Sequence, residues 1–235
     1  MERCHDRLKT MRRVLICMLL AASALGVKAQ DDPEYKMEIG AGAGLISYLG
    51  DFNGSPLKNM QPMGSLVAKY RSNPRMSWAA NISYGKLKGK STDDKSWFPN
   101  MEEPWSFNHS LIDVCLRFEY NFWAYGTGRE YRGAKPIAPF IAIGLGATSV
   151  SADKNVFTLN MPMGLGLKYK IGNRLNLTAE WMVHFTGSDQ LDGVEDPYGI
   201  KRSGLFKNTD CYSAFQMTLT YDLWAKCKTC NNDRD

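Results

Sequence analysis

Between Ile112 and Phe122 every second residue is apolar: Ile112, Val114, Leu116, Phe118, Tyr120 and Phe122 alternate with Asp113, Cys115, Arg117, Glu119 and Asn121. Successive side chains of an extended strand point to opposite faces, so this order gives one strand an apolar face and a charged face. A helix would scramble it. Ser213 to Trp224 repeats the pattern, with Phe215, Met217, Leu219, Tyr221 and Leu223 opposite Gln216, Thr218, Thr220 and Asp222. With 107–123 and 213–224 as two strands, further strands are expected over 37–48, 63–71, 76–88, 137–150, 159–171 and from Leu175 to Phe185, joined in part by the turn signals S-N-P-R and G-N-R. The count reaches eight, and no amphipathic helix competes.

The N-terminus has a different character. Arg3, Arg7, Lys9, Arg12 and Arg13 precede the apolar run Val14 to Val27, and Val27-Lys28-Ala29 is an acceptable cleavage site. This is the pattern of a secretory signal peptide, with Met11 as a second possible start. Cutting after Ala29 takes six Lys/Arg and two Asp/Glu away, so a formal net charge of +5 falls to about +1. The basic balance therefore belongs to the leader, and a nucleic-acid partner loses its support. The expected organisation is a signal peptide over 1–29, a barrel over 30–224 and a periplasmic tail over 225–235. No later segment approaches 18 consecutive apolar residues, so a membrane span must be a barrel.

Alternation alone does not orient a barrel, since a soluble one also alternates, with its apolar face inside. Two features favour an eight-stranded antiparallel transmembrane barrel in the outer membrane. Connections after the first, third, fifth and seventh strands are long, whereas those after the second and sixth are short, as expected of outer loops and periplasmic turns. Only 124–136, after the fourth strand, breaks this order. The polar face also gathers Lys69, Arg71, Asp113, Arg117, Glu119, Lys168, Lys170, Glu180, His184 and Asp222, a mixed-sign set suited to a lumen of compensating charges. Eight strands leave room only for side chains, so no open pore is expected.

The residue groups that resemble chemical sites have simpler readings. Gly40, Gly42 and Gly44, with the pairs Gly144/Gly146 and Gly164/Gly166, lack the helix and spacing of a phosphate loop; inner-face glycines that make room for Arg, Lys or Trp explain them. Glu180 and His184 share a face, but four residues of strand separate them by about 13 Å, beyond hydrogen-bond reach. Asp189, Asp192, Glu195 and Asp196 form an acidic outer loop without the spacing of an EF-hand. Trp97, Trp105, Trp123, Trp181 and Trp224 read as interfacial anchors. Cys227-Lys228-Thr229-Cys230 has no second ligand pair for zinc and no following His for haem, which leaves a disulfide, local or with a periplasmic partner. No cofactor and no metal are expected.

The segments E-I-G-A-G-A-G-L-I-S-Y-L-G-D-F-N, N-P-R-M-S-W-A-A-N-I-S-Y-G-K-L-K-G, L-R-F-E-Y-N-F-W and N-T-D-C-Y-S-A-F-Q-M-T-L-T-Y-D-L resemble the PorG family of the Bacteroidetes type IX secretion system. The chain departs from that pattern after the seventh strand, where F-T-G-S-D-Q-L-D-G-V stands in place of F-T-D-Y-L-D-D-V. The resemblance implies a non-enzymatic outer-membrane barrel that associates with the periplasmic PorK/PorN ring and other type IX components. Candidate contacts on the periplasmic side are Tyr125, Arg129, Tyr131, Arg132, Cys227 and Cys230. The alternative is a lumen-active barrel enzyme acting on lipid A or phospholipid.

Overall fold

The computed structural model describes residues 35–50, 53, 56–91, 106–126, 134–151, 155–188, 191 and 210–225. Eight strands carry it: β1 (Tyr35–Leu49), β2 (Gln61–Asn73), β3 (Met76–Lys90), β4 (Ser106–Asn121), β5 (Ile137–Ser151), β6 (Asn155–Lys170), β7 (Leu175–Thr186) and β8 (Cys211–Ala225). Each pairs antiparallel with the next, and β8 returns to β1 from Tyr35↔Ala225 to Leu49↔Cys211, closing the barrel. Closure leaves no unpaired edge, the condition for a sheet to lie in hydrocarbon.

The alternation in the sequence becomes inside and outside. On β4, Leu116 is 54% exposed and its neighbour Arg117 only 1%. The same holds around the wall, where Ile39, Leu66, Ile82, Val114, Ile143, Leu165 and Leu219 face outward while Lys69, Glu119, Lys168 and Glu180 are buried within. A soluble barrel would reverse these faces. An apolar exterior round a charged interior is stable only in a bilayer, and the chain is accordingly an outer-membrane β-barrel. Tyr70, Trp78, Phe122, Trp123, Tyr169, Tyr221 and Trp224 lie exposed toward the end where β1 begins and β8 ends, as an aromatic girdle does at an interface.

That end also carries the short links 74–75 and 171–174. In the first, Asn73 Oδ1 accepts hydrogen bonds from the backbone N–H of Arg75 and Met76, both at 2.8 Å, which fixes the N-P-R turn. In the second, Gly172 takes φ 137°, a value that side-chain-bearing residues avoid. Two of the three links at this end are short, whereas three of the four at the other run to eleven residues or more, the asymmetry that separates a periplasmic from an outer side.

Four expectations need correction. The link between β5 and β6 is only residues 152–154, because Phe157 (outward) and Thr158 (inward) continue the alternation and β6 starts at Asn155. Strand β4 stops at Asn121 rather than Trp123, because the chain bends at Phe122 and Trp123 after one last hydrogen bond to β5, from Phe122 N–H to Pro139 O at 2.9 Å. Described tryptophans do not point inward: the glycines accommodate other side chains, and a Cβ at Gly144 would lie 2.9 Å from Arg117 Cγ. Finally, charge does not line the whole interior. Toward the outer end it is an apolar core of Ile46, Tyr48, Met63, Leu87, Phe107, Leu111, Val150, Tyr212 and Ala214, closed over by Leu191 from the connection between β7 and β8.

The orientation of the wall makes a direct prediction. Leu116→Arg, in the middle of the belt, lowers the unfolding free energy in lipid vesicles by about 2–4 kcal/mol, measured by urea titration. Tolerance of that charge would contradict a lipid-facing wall.

Candidate functional site

Five basic side chains, Lys69, Arg71, Arg117, Lys168 and Lys170, meet five acidic ones, Glu38, Asp113, Glu119, Glu180 and Asp222, within the barrel. At its centre Glu119 Oε2 accepts from Lys168 Nζ at 2.6 Å and from Ser77 Oγ at 3.1 Å, while Oε1 lies 3.3 Å from Lys69 Nζ. Arg117 Nη1 donates to Glu180 Oε1 at 2.8 Å, and Gln216 donates to the same oxygen. The alternation of β2, β3, β4, β6, β7 and β8 aims all these groups at one axis. In a medium of low dielectric each charge stays ionised only beside its opposite.

A second cluster closes the periplasmic mouth. Arg71 bridges Glu38 and Asp222, the latter at 3.2 Å, and Lys170 Nζ lies 2.5 Å from Asp222. Asn176 Nδ2 donates to Asp222 at 2.9 Å, and Thr220 donates to Glu38 at 2.7 Å. Over this cluster lies Tyr125, whose hydroxyl donates to Asn176 Oδ1 at 2.8 Å and whose ring receives the Arg71 guanidinium at 5.1 Å from its centre. Burial, reinforced by the carboxylate of Glu38, raises the phenol well above its usual range, so it remains a donor. The backbone supports this inward fold: Tyr125 N–H donates to Pro74 O at 3.0 Å, and Tyr125 bridges Lys135.

A third cluster stands nearer the outer end. Asp113 Oδ1 accepts from Tyr212 Oη at 2.8 Å, Thr148 Oγ1 at 2.9 Å and Asn160 Nδ2 at 2.5 Å. His184 stacks on Tyr212 with ring centres 4.3 Å apart, and its Nδ1 is 3.8 Å from Asp113. The Glu180 carboxylate is engaged elsewhere, with Arg117 and Gln216, so Glu180 and His184 form no acid-base pair.

All ten residues that the sequence placed in the lumen are therefore inside the barrel; each Lys and Arg among them has a carboxylate within 4.0 Å, and each carboxylate but Asp113 has a Lys or Arg, Asp113 having His184 Nδ1 at 3.8 Å instead. Glu38 belongs with them and was missed; its parity with Gly40, Gly42 and Gly44 on the inner face was the available signal. Tyr125 requires a correction. At 4% exposure it plugs the mouth instead of facing a partner, because an aromatic ring can cap the buried Arg71. Arg129, Tyr131, Arg132, Cys227 and Cys230 lie outside the described residues, as do residues 1–29 with the expected signal peptide, Trp97, Trp105 and the acidic positions Asp189, Asp192, Glu195 and Asp196.

The network's interdependence is measurable. Glu119→Ala leaves Lys69 and Lys168 without their shared carboxylate and lowers the unfolding free energy by about 3–5 kcal/mol. Adding Lys168→Met to that variant restores part of the loss, and urea titration of both proteins in vesicles reads the difference.

Among solved structures, the chain is similar to Neisserial surface protein A, at 12% identity and a TM-score of 0.51, covering 80% of this chain and 97% of that one. It also matches Ail, the attachment invasion locus protein of Yersinia pestis, at 10% identity and a TM-score of 0.46, over 81% and 100% of the two chains. A major outer membrane protein of Thermus thermophilus follows at 12% identity and a TM-score of 0.43, over 80% and 99%. No curated protein sequence matches the chain. A family model does, over residues 12–232, and the chain belongs to that family, described as a domain of unknown function (DUF6089).

Proposed function

We propose that this member of the DUF6089 family is a non-enzymatic outer-membrane component of the type IX protein secretion system, attached through its periplasmic end to the PorK/PorN ring. The observation that carries the reading is the closed mouth. With every lumen Lys and Arg beside a carboxylate and Tyr125 set over Arg71, the barrel suits an anchor better than a conduit or a reaction chamber.

The periplasmic end offers what an anchor needs. Tyr35 and Ala225 are paired neighbours there, so the segments before β1 and after β8 depart from one point of the rim. The connection from β4 to β5 rises from the same rim, with Lys135 exposed beside Trp123 and Arg174 exposed in the link between β6 and β7. Arg129, Tyr131 and Arg132 follow Tyr125 in that connection, and Cys227 and Cys230 follow Ala225 in the tail. The segments that resemble PorG proteins supply the identity of the partner.

Removal of residues 226–235 is expected to abolish recovery of PorK and PorN with the affinity-tagged barrel from detergent-solubilised outer membranes. Heat-modifiable migration shows that the truncated barrel has folded. Undiminished recovery would exclude the tail from the contact, and undiminished recovery from a further Arg129→Ala, Tyr131→Ala, Arg132→Ala variant would remove the proposed periplasmic contact altogether.

A further inference from the structure

The outer wall between β2, β3 and β4 carries one of several apolar depressions on the exterior of the barrel. Gly64 faces lipid directly opposite Tyr84, and a Cβ built on it would meet no atom within 4 Å. The missing side chain leaves a shallow apolar depression of about 480 Å³, bordered by Leu66, Ile82, Tyr84 and Ile112. This slot is lined largely by apolar atoms and opens on the lipid side of the wall.

At the outer end of the slot the exterior changes character within one pleat. Tyr84 is followed on the same outward face by Lys86, Lys88 and Lys90. Same-face residues on a strand are about 7 Å apart, so the three ammonium groups form a column about 14 Å long. Its cross-strand neighbours on β4 are Ser110, Asn108 and Ser106, and Ser110 in turn pairs Ser151 on β5. No acidic residue stands among these positions. Among the described residues, no other strand turns a Lys or Arg outward in its outer half. The cations are thus concentrated on one sector of the wall, immediately above the slot at Gly64.

We propose that this sector binds a phosphorylated glycolipid of the outer leaflet, of the lipid A class. One acyl chain lies in the depression at Gly64 against Leu66, Ile82 and Ile112, and phosphate is held by Lys86 and Lys88. The placement follows from depth: the short turns put the opposite end in the periplasm, so the step from Tyr84 to Lys86 falls where outer-leaflet phosphates lie above their acyl chains. The extent of the patch selects the lipid class. A single phosphodiester would engage one or two lysines, whereas a column of this length, flanked by the hydroxyls of Ser110 and Ser151 and the amide of Asn108, fits a headgroup with several phosphates and sugar hydroxyls. This inference stands apart from the periplasmic attachment, since it uses the opposite end of the barrel.

The test uses the full-length protein in detergent micelles, checked for folding by heat-modifiable migration, with bound lipid read by native mass spectrometry. Bis-phosphorylated lipid A, its dephosphorylated form and phosphatidylglycerol serve as probes. Wild type is expected to retain phosphorylated lipid A, and the Lys86→Ser, Lys88→Ser, Lys90→Ser variant to bind it on the order of tenfold more weakly. Gly64→Leu, which fills the slot and leaves every lysine in place, should weaken it too, and the dephosphorylated form should bind wild type as poorly as lipid A binds the lysine variant. Equal retention of lipid A by wild type and both variants would overturn the site, and equally tight binding of phosphatidylglycerol would overturn the assignment of the glycolipid class.

Discussion

Glu119, held between Lys69 and Lys168, is the contact on which the register of the wall depends. The three side chains come from β4, β2 and β6, which are not neighbours around the barrel, so they meet only when every intervening strand pair is correctly aligned. A slip of one residue on β4 would turn Arg117 and Glu119 into hydrocarbon and Leu116 and Phe118 into the lumen. Each misplaced charge at the middle of the belt would cost about 2–4 kcal/mol. Charge pairing inside and apolar contact outside are therefore one constraint seen from two sides.

That constraint also explains how the interior is divided. Charges fill the middle and the periplasmic end, where every group meets an opposite partner across the lumen. Toward the outer end the inward positions become Leu87, Phe107, Leu111 and Val150, and the lumen is packed as a small hydrophobic core with Leu191 on top. Arg71 and Asp222 receive a cap from Tyr125, and the outer core receives one from the connection between β7 and β8. Both ends are thus closed by residues from outside the strands.

Strands were legible because their information is local: a period of two over ten or more residues survives without any knowledge of partners. For that reason β3, β5 and β7 begin at the expected residues, and the lumen set from Lys69 to Asp222 needed only parity. The parts that were not legible depend on where chain meets chain. Thr158 reads as loop until it is seen to continue an inward column. Tyr125 reads as a surface aromatic because nothing in its neighbourhood along the sequence announces Arg71, which comes from another strand. Phe107 and Leu111 share parity with charged residues of the same strand, and only the height at which they enter the lumen separates the two regions. The column from Lys86 to Lys90 faces lipid, a side that a charge-in, apolar-out rule would not have assigned to it.

The seam between β1 and β8 has a consequence for the order of events in assembly. It joins Tyr35 to Ala225 and Leu49 to Cys211, the most distant pairings in sequence that the sheet contains, whereas every other seam joins strands consecutive along the chain. Hairpins can form as soon as their two strands exist, but this last pairing has to wait for all eight strands and for the longest loop in the sheet to be closed. Until then the glycine-bearing edge of β1 and the edge of β8 are both open, and the half-made sheet has two sticky margins that attract other strands as readily as each other. An intermediate with two open margins has to be sheltered from pairing with other strands until the seam closes.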